Sequence, residues 1–289
     1  MSLSPARALA QNHGMGGERI YFGWWLVAGL FVVLAVSSGF GFYNMSVYMN
    51  VLAAAHGHGI GELSLAVSLF FLVGGVGGMW VASLLERFDA RVIMAVGGLI
   101  AGVALAFSGR VTSLPGIYLL FSLFGFGNAA VSIVTSTTLV TRWFPGRDRS
   151  VALSIASTGL SAGGILLTPW SARVLATHGP EAAMTWFGLA FAAVIVPLSI
   201  LLVRDRPGPL ASTRTQAAGS VRWNYDVAIR TPFFILLTLG YLFAMGAQAG
   251  GIAHLYNRAV GIAGLDTATL AVQALTLCSI SGRFLVGFS

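Results

Sequence analysis

Ser64-Leu-Ala-Val-Ser-Leu-Phe-Phe-Leu-Val-Gly-Gly-Val-Gly-Gly-Met-Trp-Val-Ala-Ser-Leu84 recurs, in outline, 205 positions later as Thr269-Leu-Ala-Val-Gln-Ala-Leu-Thr-Leu-Cys-Ser-Ile-Ser-Gly-Arg-Phe-Leu-Val-Gly-Phe-Ser289. Leu65-Ala66-Val67 lines up with Leu270-Ala271-Val272, Leu72 with Leu277, Gly77 with Gly282 and Val81 with Val286. Six identities in twenty-one positions are weak on their own, because apolar composition produces chance matches. The offset carries more weight, since it implies two similar halves. The copies differ by a charge at one place, where Gly78 becomes Arg283.

Working outward, both copies lie in a chain that is 56% hydrophobic and 9% charged, with a mean hydropathy of +0.84. Soluble domains carry roughly 25% charged residues, so the composition is that of a membrane protein. Eight apolar runs approach the roughly 20 residues a helix needs to cross a bilayer. They fall near 22–48, 63–85, 92–109, 115–141, 150–172, 182–203, 232–256 and 268–289. None alternates as a strand does, which predicts an all-α membrane protein rather than a barrel.

All sixteen basic residues are arginines, and nine residues are acidic. The net charge of +7 does not point to nucleic acid, because the arginines stand in loops beside apolar spans, where they meet lipid headgroups. With the N-terminus in the cytoplasm, twelve arginines fall on the inside, and only Arg110, Arg173 and Arg258 fall outside. The single cysteine, Cys278, excludes an internal disulfide. With no lysine there is no phosphate-binding loop of the ATPase kind. No metalloprotease or nucleophile-elbow motif occurs, so an enzyme is not expected. Nor is a metal or cofactor: His56 and His58 alone are a weak ligand set.

The predicted organisation is a cytoplasmic tail over 1–21, a six-helix bundle over 22–203, a cytoplasmic linker over 204–230 and a partial second bundle over 231–289. The linker contains Pro207-Gly208-Pro209 and a polar tract from Ala211 to Ser220. Small residues at four-residue spacing, namely Gly74 and Gly78, Gly98 and Gly102, Gly159 and Gly163, and Gly246 and Gly250, predict close helix crossings.

Ala82-Ser-Leu-Leu-Glu86-Arg87-Phe88-Asp89-Ala90-Arg91 resembles the signature that follows the second helix of the major facilitator superfamily, with Glu86 for the usual Asp and Asp89 for the usual Gly. Further stretches are similar to its monocarboxylate transporter and oxalate–formate antiporter branch. They are Gly23-Trp24-Trp25, Gly41-Phe42-Tyr43-Asn44, Gly125-Phe126-Gly127-Asn128, Arg142-Trp143-Phe144-Pro145 and Arg230-Thr231-Pro232. The resemblance implies a major facilitator fold with the first two helices of the C-terminal bundle, the chain stopping after its eighth helix. It also implies a transporter of a small organic anion, a mono- or dicarboxylate, working by alternating access in the plasma membrane, with the lipid bilayer as its surroundings. Glu86, Arg87, Asp89 and Arg91 would form a cytoplasmic gate, the alternative being that Arg87 and Arg91 are only topology determinants. In that branch an arginine of the eighth helix binds the substrate carboxylate, and Arg283 stands in a matching Gly282-Arg-Phe-Leu-Val-Gly287 setting. Its planar fork suits a carboxylate.

Tyr43, Asn44, Asn128 and Gln248 are further substrate-binding candidates, with hydrogen bonding between helices as the alternative for each. No Asp or Glu stands in the middle of any run, so proton coupling through a carboxylate is not supported. A drug or metabolite exporter of the same fold, and a shortened protein without transport activity, are the competing readings.

Overall fold

The computed structural model describes residues 22–144, 148–204 and 229–288, apart from a set of side chains beyond position 248. The expected tail, and the expected linker between 205 and 228, lie outside the described residues. The described elements are helical. α1 (Phe22–Ser37) passes through a π-helical turn (Ser38–Tyr43) into α2 (Met45–His56). There follow α3 (Ile60–Leu84), α4 (Ala90–Ser108), α5 (Leu114–Ala130), α6 (Ile133–Trp143), α7 (Asp148–Leu202) and α8 (Pro232–Phe288).

Among the described residues, five stretches are long and apolar enough to span a bilayer: Phe22–Tyr43, Ile60–Leu84, Ala90–Ser108, Leu114–Trp143 and Asp148–Leu202, with Pro232–Gln248 a shorter apolar stretch. The last of the five joins two of the expected runs. Loops were expected near 173–181 and 257–267, and the structure instead has α7 and α8 bent at single glycines. Gly179 has φ 74° and ψ 170°, and Gly264 has φ 82° and ψ 178°. That region is open essentially to glycine alone. Pro180 then starts the second arm of α7, where its fixed φ suits a first turn and its missing N–H costs nothing. Apolar runs mark the bilayer-facing part of a helix and do not show how far polar residues carry it beyond.

Close contacts fix the topology. Along α1, the sites facing Gly159 and Gly163 are the Phe31 and Ala35 carbonyls, so the first arm of α7 runs parallel to α1. Leu202 faces Gly29 and Phe187 stacks on Phe40, so the second arm runs back. Gly98 meets Ile195 and Gly102 meets the Gly188 carbonyl, which sets α4 antiparallel to that arm. α5 lies between α3 and α4, with Gly125 against the Phe70 carbonyl and Gly127 against Ala101. In lipid there is little hydrophobic drive between helices, and small residues supply close packing instead. The expectation holds at Gly98, Gly102, Gly159 and Gly163. At Gly78, Gly246 and Gly250 an added Cβ would meet nothing within 4 Å among the described residues. Leu72, Met79, Trp80, Leu119, Leu166 and Leu189 are large apolar side chains exposed on the helices.

The arm after Gly264 starts 205 residues after α3, whose N-cap is Gly59. The repeat therefore matches element starts as well as residues. Phe70 of α3 and its counterpart Leu275 of α8 both pack on the hydrophobic core.

Candidate functional site

Two irregular segments face each other midway along the first and fourth spans. The first is the π-turn Ser38-Gly-Phe-Gly-Phe-Tyr43. Such turns widen the helix locally and free backbone groups, and they recur at functional sites. The second is the interruption at Val131 and Ser132 between α5 and α6. Ser37 Oγ donates to Asn128 Oδ1 at 2.8 Å, which joins the two segments. Gly41 also lies against the Asn128 side chain.

The π-turn is tied to α7 as well. Ser38 Oγ donates to the Leu160 carbonyl at 2.7 Å. Tyr43 is buried, with its ring against Gly164 and in edge contact with Phe42. Asn44 has no exposed surface; its Nδ2 donates to Ser171 Oγ at 2.6 Å and to the Tyr48 hydroxyl at 3.3 Å. Ser171 Oγ in turn donates to the Thr168 carbonyl at 3.0 Å. Asn44 Oδ1 and Thr168 Oγ1 are buried without a hydrogen-bond partner among the described residues. Both asparagines are thus engaged between helices, Asn128 with α1 and Asn44 with α7.

Replacing Asn44 by alanine is expected to cost about 1–2 kcal/mol, the range for hydrogen bonds between membrane helices. A double-mutant cycle with Ser171→Ala, read by thermal unfolding in detergent, should give a coupling energy of the same sign. Strict additivity would show that the 2.6 Å contact contributes nothing.

At the interruption, the Val131 N–H bonds the Asn128 carbonyl and the next closed bond is Ser136 N–H to the Ser132 carbonyl. The N–H groups of residues 132–135 have no partner among the described residues, and Ser132 makes no side-chain cap. Thr135 and Ser136 are buried, and their hydroxyls are also unpartnered. The next hydroxyls along α6 behave otherwise: Thr137 and Thr138 both donate to the Val134 carbonyl, and Thr141 to the Thr138 carbonyl.

At the end of α3, the four gate candidates surround a tight turn. Asp89 has φ −61° and ψ 128°, so the turn needs no glycine there. Its carboxylate accepts the Arg91 N–H at 3.0 Å and lies 3.7 Å from Arg91 Nε, which caps α4. Glu86 and Arg87 are exposed. The tie to the neighbouring helix comes from Arg142, whose Nη2 donates to the Leu85 carbonyl at 3.0 Å. Beside it Trp143 Nε1 donates to the Arg204 carbonyl at 2.8 Å, and the Arg204 guanidinium sits 4.8 Å from the Phe22 ring centroid. Sequence reasoning noted Arg142-Trp143-Phe144-Pro145 only as a likeness and gave these residues no role. It also passed over Ser37, Ser38 and Ser171, and the hydroxyl-rich run from Ser132 to Thr141, whose signal is a concentration of Ser and Thr inside an apolar span.

Gln248 is half-buried on the first arm of α8. Arg283 is on the second arm, which continues past it to Phe288; its side chain lies outside the described residues. At the opposite end, His58 Nε2 is 2.6 Å from the Thr112 carbonyl and joins two connections.

Residues 30–288 match the family model for the Major Facilitator Superfamily, and the chain belongs to that family of multi-pass membrane transporters, whose members are not enzymes. The chain is 24% identical over 271 residues to the oxalate:formate antiporter of Oxalobacter formigenes, covering 92% of this chain and 62% of that protein. It is 34% identical over 134 residues to human monocarboxylate transporter 11, covering 44% of this chain and 28% of the relative. Among solved structures, a bacterial homologue of the human lysosomal transporter Spinster, in an inward-facing and unoccupied conformation, superposes with a TM-score of 0.66 at 18% identity, over 94% of this chain and 63% of that one. A D-xylose–proton symporter superposes with a TM-score of 0.55 at 17% identity, over 90% of this chain and 66% of that one.

Proposed function

We propose that the protein moves a small organic anion, a mono- or dicarboxylate, across the plasma membrane by alternating access. The bundle over 22–203 and the helices over 231–289 rock about a shared site, joined by the linker at 204–230, with the N-terminus in the cytoplasm. The observation that carries the anion reading is Arg283, a guanidinium on an otherwise apolar arm, at the place where the repeat has Gly78. A charge within a span is costly and belongs to a bundle interior or a wet path. The names of the antiporter and the monocarboxylate transporter agree with this substrate class.

Tyr43, Asn128 and Gln248 would supply the remaining polar contacts, and Asn44 would hold Tyr43 in place from its buried position. Glu86, Arg87, Asp89 and Arg91 would close the cytoplasmic end, with Arg142 reaching across to Leu85. Export of drugs or metabolites is the competing reading. Proteoliposomes containing the full-length protein should accumulate labelled oxalate, formate or lactate saturably and should not extrude apolar cations. Cation efflux without carboxylate uptake would reverse the assignment.

A further inference from the structure

The fourth span is two helices, and the second begins inside the bundle. α6 has eleven residues, enough for a defined dipole with its positive end at Ser132. Its first N–H groups lack partners among the described residues, as helix starts do unless a side chain, water or ligand caps them. A helix start in a soluble protein would be capped by water. Here Val131, Thr135 and Ser136 around it are buried, Ser132 and Ile133 are half-buried and Val134 is exposed.

A second observation points the same way. Thr135 and Ser136 are 0% and 1% exposed, and both hydroxyls are unsatisfied. Hydroxyls in helices ordinarily bond a carbonyl three or four residues back, as Thr137, Thr138 and Thr141 do in this helix. For Thr135 that carbonyl would be at Val131, inside the interruption; for Ser136 it is at Ser132, and the hydroxyl makes no bond to it. Helix side chains tilt toward the N-terminus, so both hydroxyls lean over the open first turn. Unpaired N–H and O–H donors converging at the positive end of a helix are what an anion requires.

We propose that the first turn of α6 seats a carboxylate group of the transported anion, through the N–H groups of residues 132–135 and the Thr135 and Ser136 hydroxyls. This rests on the carboxylate reading above and deepens it by giving the N-terminal bundle its own anion contact. Asn128, one turn before Ser132 and bonded to Ser37, stands beside the seat and links it to the π-turn.

The test measures equilibrium binding of labelled oxalate to the purified full-length protein, together with thermal midpoints. Ile133→Pro deletes one N–H at the first helical position, and the extended ψ of 177° at Ser132 is compatible with a following proline. It should weaken oxalate binding about tenfold or more, the loss of one charge-assisted hydrogen bond. Ile133→Ala should change it less than about twofold, as only apolar surface is removed there. Ser132→Asp supplies an internal carboxylate cap. It should raise the midpoint without ligand and weaken oxalate binding, two opposite changes that a merely structural role would not produce. Unchanged oxalate affinity in Ser132→Asp overturns the seat, whether or not Ile133→Pro folds. Loss of binding in Arg283→Ala with full binding in both α6 variants overturns the seat and leaves the carboxylate reading standing. Absence of oxalate and formate binding by the unmodified protein overturns both.

Discussion

Arg283→Ala is expected to abolish saturable carboxylate uptake in proteoliposomes while leaving the protein folded. Position 283 follows Gly264 by five turns of helix, counted at 3.6 residues per turn. Its counterpart in the first half is Gly78 of α3, where an added Cβ would meet no atom within 4 Å. Deleting a guanidinium that holds a carboxylate in a low-dielectric path removes two parallel charge-assisted hydrogen bonds. At about 1.5–3 kcal/mol each, the loss is a factor of about 100 or more in uptake at low substrate concentration. Arg283→Lys keeps the charge and loses the fork, so it should retain transport with a raised KM. Equal uptake by wild type and Arg283→Ala would remove Arg283 from the site.

Gly163→Val is expected to give the largest loss of stability. A Cβ at Gly163 would run into the Ala35 carbonyl and lie 2.6 Å from Ser38 Oγ. Both are fixed: the carbonyl by its helix, and the hydroxyl by its bond to Leu160. α1 and α7 would have to separate at the π-turn, at a cost of about 3 kcal/mol or more. Gly75→Ala serves as the control, because a Cβ there meets nothing within 4 Å and alanine favours the helix. The comparison is read from thermal midpoints and monodispersity in detergent. Equal behaviour of the two variants would show that the α1–α7 crossing tolerates separation.

Much of this fold could be read from composition and periodicity. The described helices cover the eight apolar runs, and the 205-residue offset reappears in the starts of α3 and the second arm of α8. Apolarity does not report backbone irregularity inside a span. The π-turn and the interruption at Val131 and Ser132 were invisible because Ser-Gly-Phe-Gly-Phe-Tyr and Val-Ser-Ile are as apolar as regular helix. The single-glycine bends were hidden for another reason: a loop is expected wherever polar residues collect, and Gly179 shows its conformation only in three dimensions. At the site, Tyr43, Asn44 and Asn128 stood out as polar residues in apolar runs. Ser37, Ser171, Thr135 and Ser136 did not, since a small hydroxyl mid-helix usually bonds its own backbone and marks nothing.

The π-turn also sets the rotational phase of the first span. Its wider winding places one more residue per turn than an α-helix does, and one residue corresponds to about 100° of rotation. α1 presents Phe31 and Ala35 to α7, and α2 begins with a face already turned relative to that one. That offset aims Asn44 at Ser171 on the same partner helix. Without it, the polar tooth at position 44 would point about a quarter turn away, and its amide would face a different neighbour. The first span behaves as a shaft with a keyed coupling, whose two ends engage the same partner only at the angle the six residues from Ser38 to Tyr43 impose.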